Sequence, residues 1–158
     1  MSSSTNSTIT DIILEHPFTY FTWYAKIKGS VPKDLWRYFD PEQQDELDHP
    51  EQVTIGQVKE DAVTLNELSA AEKSIFSQLR AIYNQDLTQY HRMLSQEAKL
   101  RERIMTSVSD SKKSQLQADE SPREWLSHLA KSTKPTDSQM QEMIRSKHQV
   151  KMSVKHTE

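Results

Sequence analysis

Six histidines are the side chains of this sequence best suited to acid–base work or metal ligation: His16, His49, His91, His128, His148 and His156. None has a second histidine or an acid at a convincing ligand spacing on one helical face, and the H-E-x-x-H pattern of helical zinc sites is absent. His91 with Asp86 or Glu97 reads as a set of helix-surface neighbours. Asp45, Glu46 and Asp48 gather negative charge but lack the glycine and bidentate glutamate of a calcium loop, so they read as solvated. Zero cysteines exclude disulfides, thiolate zinc sites and a thiol nucleophile, and leave the redox compartment open. There is neither a G-x-x-x-x-G-K-S/T nor a G-x-G-x-x-G loop to cradle phosphates, and no serine on a strand–turn–helix elbow. The expectation is a non-enzyme without catalytic residues, metal site, cofactor or small-molecule substrate.

The remaining chemistry is electrostatic. The formal net charge of −3 is unevenly spread. Residues 31–68 carry Lys33, Arg37 and Lys59 against ten acids, six of them between Asp40 and Glu51. Residues 121–158 carry seven Lys/Arg against four acids. The imbalance reads either as an acidic spacer with a basic end that meets RNA or another copy, or as a solvated loop and tail. Runs this short favour the solvated reading. Arg145, Lys147, Lys151 and Lys155 are the candidate nucleic-acid contacts; phosphate contacts of this kind are non-specific and fade with salt.

Length and composition limit the scaffold that positions these groups. A chain of 158 residues is one domain, or one domain with tails. Hydrophobic residues make up 34% and charged residues 27%, which implies a modest core. The two glycines, Gly29 and Gly56, leave little room for hairpin turns and tip the balance toward an all-α class. No apolar run approaches the ~20 residues of a membrane helix. The N-terminus lacks the basic start and apolar stretch of a signal peptide. A soluble cytoplasmic protein without a membrane partner is expected.

The Ser/Thr/Asn-rich start suggests disorder over residues 1–15. Tyr20, Phe21, Trp23, Tyr24 and Ile27 then recur at spacings of three and four, the mark of an amphipathic helix, which Gly29 ends. Pro32 suits the first position of a short second helix with Leu35, Trp36 and Phe39 on its apolar side. Asp40-Pro41 breaks the chain, and residues 41 to about 62 read as an acidic linker.

Ser69-Ala70-Ala71-Glu72 fits a capping box. Beyond it Ile75, Phe76, Leu79, Ile82, Tyr83, Leu87, Tyr90, Leu94, Ala98, Ile104 and Val108 follow with no Gly or Pro between. This is one helix within residues 69–108, or two broken near Glu97–Lys99, where the stripe thins. Phe76, Tyr83 and Tyr90 are spaced by seven with leucines between, a heptad-like seam. The seam serves an intermolecular coiled coil or the face on which the N-terminal aromatic helices pack. Two tyrosines are poor seam residues, which favours the second.

Residues 109–120 are Ser/Lys/Gln-rich and read as a loop. Ser121-Pro122-Arg123-Glu124 is a second capping box, with Pro122 where a missing amide costs nothing. Pro135 stops that helix. Asp137 then caps a last element with Met140, Met143, Ile144 and Val150 on one face and Arg145, Lys147 and Lys151 on the other, before a tail at 153–158. The expected architecture is an all-α domain over residues 16–152, built on one long central helix with short aromatic N-terminal helices and C-terminal helices. Its core anchors are Trp23, Tyr24, Trp36, Tyr38, Phe76, Leu79, Tyr83, Tyr90, Trp125, Leu126 and Leu129.

Taken in order, these motifs resemble the Gag polypeptide of copia-type LTR retrotransposons, most closely the fungal type. The resemblance rests on Trp23-Tyr24 and Leu35-Trp36-Arg37-Tyr38-Phe39-Asp40-Pro41. Leu68-Ser69-Ala70-Ala71-Glu72, Leu79-Arg80-Ala81-Ile82-Tyr83 with Tyr90, and Leu100-Arg101-Glu102-Arg103-Ile104 with Val108 continue it. Pro122-Arg123-Glu124 and Pro135-Thr136-Asp137 complete it. It covers residues from about 18 to 150. Each motif is weak alone; order and spacing together are specific. His16-Pro17-Phe18-Thr19-Tyr20 departs from the Gly-x-x-Asn-Tyr of many members, and no C-x-x-C zinc knuckle is present. The resemblance implies the N-terminal capsid part of a Gag protein: a fragment, a degenerate copy or a domesticated remnant. It implies self-association toward a virus-like particle, with RNA packaging as the family role. The alternative is a host helical interaction module that never assembles.

Overall fold

The computed structural model describes residues 12–156, and side-chain surroundings as far as Gln149. It is an all-α fold with a long central helix. Six α-helices are described: α1 (Tyr20–Gly29), α2 (Lys33–Trp36), α3 (Ala70–Thr106), α4 (Asp110–Lys113), α5 (Pro122–Thr133) and α6 (Asp137–His156). The chain divides into two compact units. One is built from the chain's two ends, up to Gln44 and from Lys99 onward; the other comprises Asp45–Ala98.

In the unit built from the two ends, α1 supplies three buried side chains. A single 3-10 turn at Pro17–Thr19 leads into the helix. Tyr20, Trp23 and Ile27, at i, i+3 and i+7, are its buried residues. Phe21, expected on the same stripe, is 43% exposed, and Tyr24 is half-buried. Gly29 lies inside α1 as its last residue, and Ser30 forms the C-cap. Pro32 is the N-cap of α2 rather than its first helical residue, and that helix is a single turn. Leu35, Trp36 and Phe39 are buried from it, with Tyr38 half-buried.

The expected disordered N-terminus lies outside the described residues up to Asp11, but its last residues belong to the fold. Leu14 has no exposed surface. Its N–H donates to Ser107 O at 2.7 Å, and Ser109 N–H donates to Leu14 O at 2.9 Å, a parallel bridge to Val108. The polar composition that argued for disorder ends before Ile12, where an apolar run begins.

The segment 109–120 is more than a loop. Lys112 and Lys113 N–H donate to Ser109 O to close α4, and Leu116 is buried. Ser121 and Glu124 exchange their capping-box hydrogen bonds at the start of α5. Pro122, Trp125, Leu126, Leu129 and Thr133 form one buried stripe along that helix. At α6 the N-cap is Thr136, one residue earlier than expected. Gln139 N–H donates to Thr136 Oγ1, and Thr136 N–H donates to Gln139 Oε1. Asp137 sits instead in the first turn, where its charge meets the positive end of the helix dipole.

In the other unit, part of the expected linker is packed. Ala62, Leu68 and Phe76 form a small core, joined by Val53, Ile55 and Val58. Their irregular spacing follows short 3-10 turns, so neither helical nor strand periodicity reveals it. Ser69 and Glu72 make the expected capping box at the start of α3. The helix runs unbroken for 37 residues, about 55 Å. No break occurs near Glu97–Lys99; the thinning of the apolar stripe there coincides with the passage of α3 from one unit to the other. Among the anchors expected along α3, Phe76 is buried, while Leu79, Tyr83 and Tyr90 are only half-buried. Among the described residues, no helix is long and apolar enough to cross a membrane.

Candidate functional site

The side chains best placed to meet a partner lie on α6 and beside α1. Every described side chain of α6 up to Gln149 is exposed except Met143, which is half-buried. A groove of ≈ 190 Å³ is lined by Phe21 of α1 and by Met140, Met143, Ile144 and Lys147 of α6. Ile144 is 65% exposed and Met140 38%. Lys147, expected on the face opposite these apolar residues, instead lies beside them. It follows Met143 by four residues and Ile144 by three, and on a helix of 3.6 residues per turn these share a face. Arg145 and Lys147 are both exposed; the side chains of Val150, Lys151 and Lys155 lie outside the described surroundings.

Each unit also carries a cleft among its described residues. In the unit of the chain ends, Trp23, Ile27, Ser30, Lys26, Arg103 and Ser107 contribute to a cleft of ≈ 390 Å³. Trp23 Nε1–H donates to Ser107 Oγ at 2.8 Å, and Arg103 Nη1 donates to Ser30 O at 2.9 Å, so both side chains serve the fold. In the other unit, Leu65, Lys73, Phe76, Arg80 and Asn84 line a cleft of ≈ 630 Å³. The Arg80 guanidinium lies 5.9 Å from the centre of the Phe76 ring.

Glu120, Tyr20 and Tyr24 are engaged in structural contacts. Glu120 accepts hydrogen bonds from the His128 ring and from Gln117 N–H. The hydrogen bond from His128 is the main cause that lowers the Glu120 pKa. The pair lies eight residues apart across the start of α5, a spacing no helical ligand pattern contains. Burial, then the carboxylate of Asp40, pushes Tyr24 up to about 12. Burial, then Glu42, raises Tyr20 as well. Among the described residues, no group of three His, Asp or Glu side chains gathers as a metal site. Asp45 is half-buried, whereas Glu46 and Asp48 are exposed.

The aromatic anchors are placed as structure as well. Trp23, Trp36 and Trp125 are 1%, 6% and 4% exposed, too enclosed to stack on a base. Trp125 Nε1–H donates to Gln117 O, and the Arg101 guanidinium lies 4.9 Å from its ring centre. What remains for recognition is apolar surface, on α6 with Phe21 and along α3, where Ile75 and Ile82 are 49% and 54% exposed. No protein-family model, no curated protein and no solved structure matches this chain.

Proposed function

We propose that this chain is a structural, Gag-like protein, corresponding to the N-terminal capsid part of a copia-type retrotransposon polypeptide. Its work is self-association toward a particle shell in the cytoplasm; it is non-enzymatic and needs no cofactor. The observation that carries the reading is the ordered set of motifs from Trp23-Tyr24 to Pro135-Thr136-Asp137. The exposed apolar side chains Phe21, Met140, Ile144, Ile75 and Ile82 support it, because association is what removes such surface from water. RNA enters as a secondary, non-specific ligand of Arg145, Lys147, Lys151 and Lys155.

Sedimentation velocity over a wide range of protein concentration tests the reading, with electron microscopy of the largest species. Species that grow with concentration and close into particles are expected. A monomer throughout would favour the host interaction module and overturn the Gag-like role.

A further inference from the structure

The two units carry opposite charge. Asp45–Ala98 contains ten Asp/Glu against four Lys/Arg, a balance of −6. The other unit, residues 1–44 and 99–158, contains thirteen Asp/Glu against sixteen Lys/Arg, a balance of +3. The modest total of −3 conceals this, because the basic unit is assembled from two separate stretches of chain.

Each unit also leaves an apolar face at its surface. On the acidic unit, Ile75, Leu79 and Ile82 occupy i, i+4 and i+7 of α3, the anchor spacing of a helix that lies in a groove. Ile75 and Ile82 are about half exposed. Asp86 follows Ile82 by four residues and continues that stripe with a negative charge. On the basic unit, the groove between Phe21 and α6 is apolar along Met140, Met143 and Ile144 and ends at Lys147.

We propose that the Ile75–Leu79–Ile82 stripe of one copy docks in the Phe21–α6 groove of a second copy, with Asp86 directed toward the partner's Lys147. The contact rests on the self-association reading and specifies its geometry. It joins two different surfaces, so each bound copy still offers one unused stripe or one unused groove. Such head-to-tail contacts propagate, closing into a ring or shell where the rotation allows and otherwise forming a filament. The opposite charges of the two units steer the encounter and set its orientation.

Full-length protein with Ile82→Asp, and separately with Ile144→Asp, tests the contact by sedimentation. Both side chains are exposed, so circular dichroism should stay unchanged. Each variant alone should lose about tenfold or more in association. Mixed one to one, the pair should form a heterodimer that grows no further, because only one intact stripe and one intact groove remain to meet. Lys147→Glu should weaken association, and a mixture with Asp86→Lys should restore it. High salt should weaken the wild-type contact. Wild-type oligomers that survive both aspartate variants would overturn this contact while leaving self-association standing. Oligomers lost in each variant but not rescued by mixing would point to a symmetric contact and also overturn it. A wild-type monomer at every concentration would remove both.

Discussion

Trp23 Nε1–H donates to Ser107 Oγ at 2.8 Å across 84 residues of sequence, tying α1 to the chain just beyond α3. Trp36 is nearly as buried, yet its Nε1–H has no protein acceptor. The same substitution should therefore behave differently at the two sites. Trp23→Phe removes volume and a satisfied hydrogen bond, at a cost of about 1–3 kcal/mol. Trp36→Phe removes similar volume but an unsatisfied donor, and should cost about 1 kcal/mol less. Urea unfolding of both variants checks the order. Equal losses, or the reverse order, would show that the indole N–H groups do not differ in energy. Trp36→Ala should lower the melting temperature sharply in any case, by about 3–5 kcal/mol of lost stability.

Leu14 should matter more than its place near the N-terminus suggests. Its side chain is fully buried, and its backbone holds Ser107 and Ser109. Leu14→Ala should cost about 2–5 kcal/mol. Ile13→Ala, at a neighbouring site 43% exposed, should stay within about 0.5 kcal/mol. Similar melting temperatures for the two variants would contradict the packing of Leu14.

Glu120 makes stability depend on acid. Its folded pKa lies below the ordinary 4.5, chiefly through the hydrogen bond from His128. A depressed carboxylate stabilises the fold above its unfolded pKa, and that contribution is lost as pH falls through the folded value. Glu120→Gln should therefore reduce stability at neutral pH and flatten its decline below pH 4.5. Chemical denaturation across the acid range decides this; parallel curves for wild type and variant would refute it.

Tyr24 predicts the opposite limit. Its pKa is raised from 10.0 to about 12 by burial and by Asp40. A phenol held neutral in the fold stabilises below its unfolded pKa, and stability falls as pH rises from 10.0 toward about 12. Spectrophotometric titration should show a late tyrosinate component. Tyr24→Phe should remove it, and a late component unchanged in that variant would assign it elsewhere.

RNA binding, as proposed, should be weak and salt-sensitive. Arg145→Ala should reduce affinity for unrelated RNAs alike and lower the salt dependence. Tight, sequence-selective binding at physiological salt would require a recognition surface other than the α6 cations.

Local chemistry was legible in the residues themselves. The capping boxes at Ser69 and Ser121, the all-α class and the burial of the three tryptophans follow from short-range rules: a side chain three residues from the amide it caps, and apolar spacing near 3.6. Two local patterns competed at the start of α6. Thr136 and Asp137 are both good caps, and the capping-box spacing of Thr136 to Gln139 selects Thr136, a local signal that placing the cap at Asp137 passes over. Tertiary structure alone decided the rest. It recruited Leu14 to Val108, paired Glu120 with His128, left Phe21 outside the core, and packed Ala62 with Phe76. It also gathered two distant stretches into one basic unit opposite in charge to the segment between them. The reason is physical: periodicity tells which face of an element is apolar, whereas burial of that face depends on what the rest of the chain brings against it.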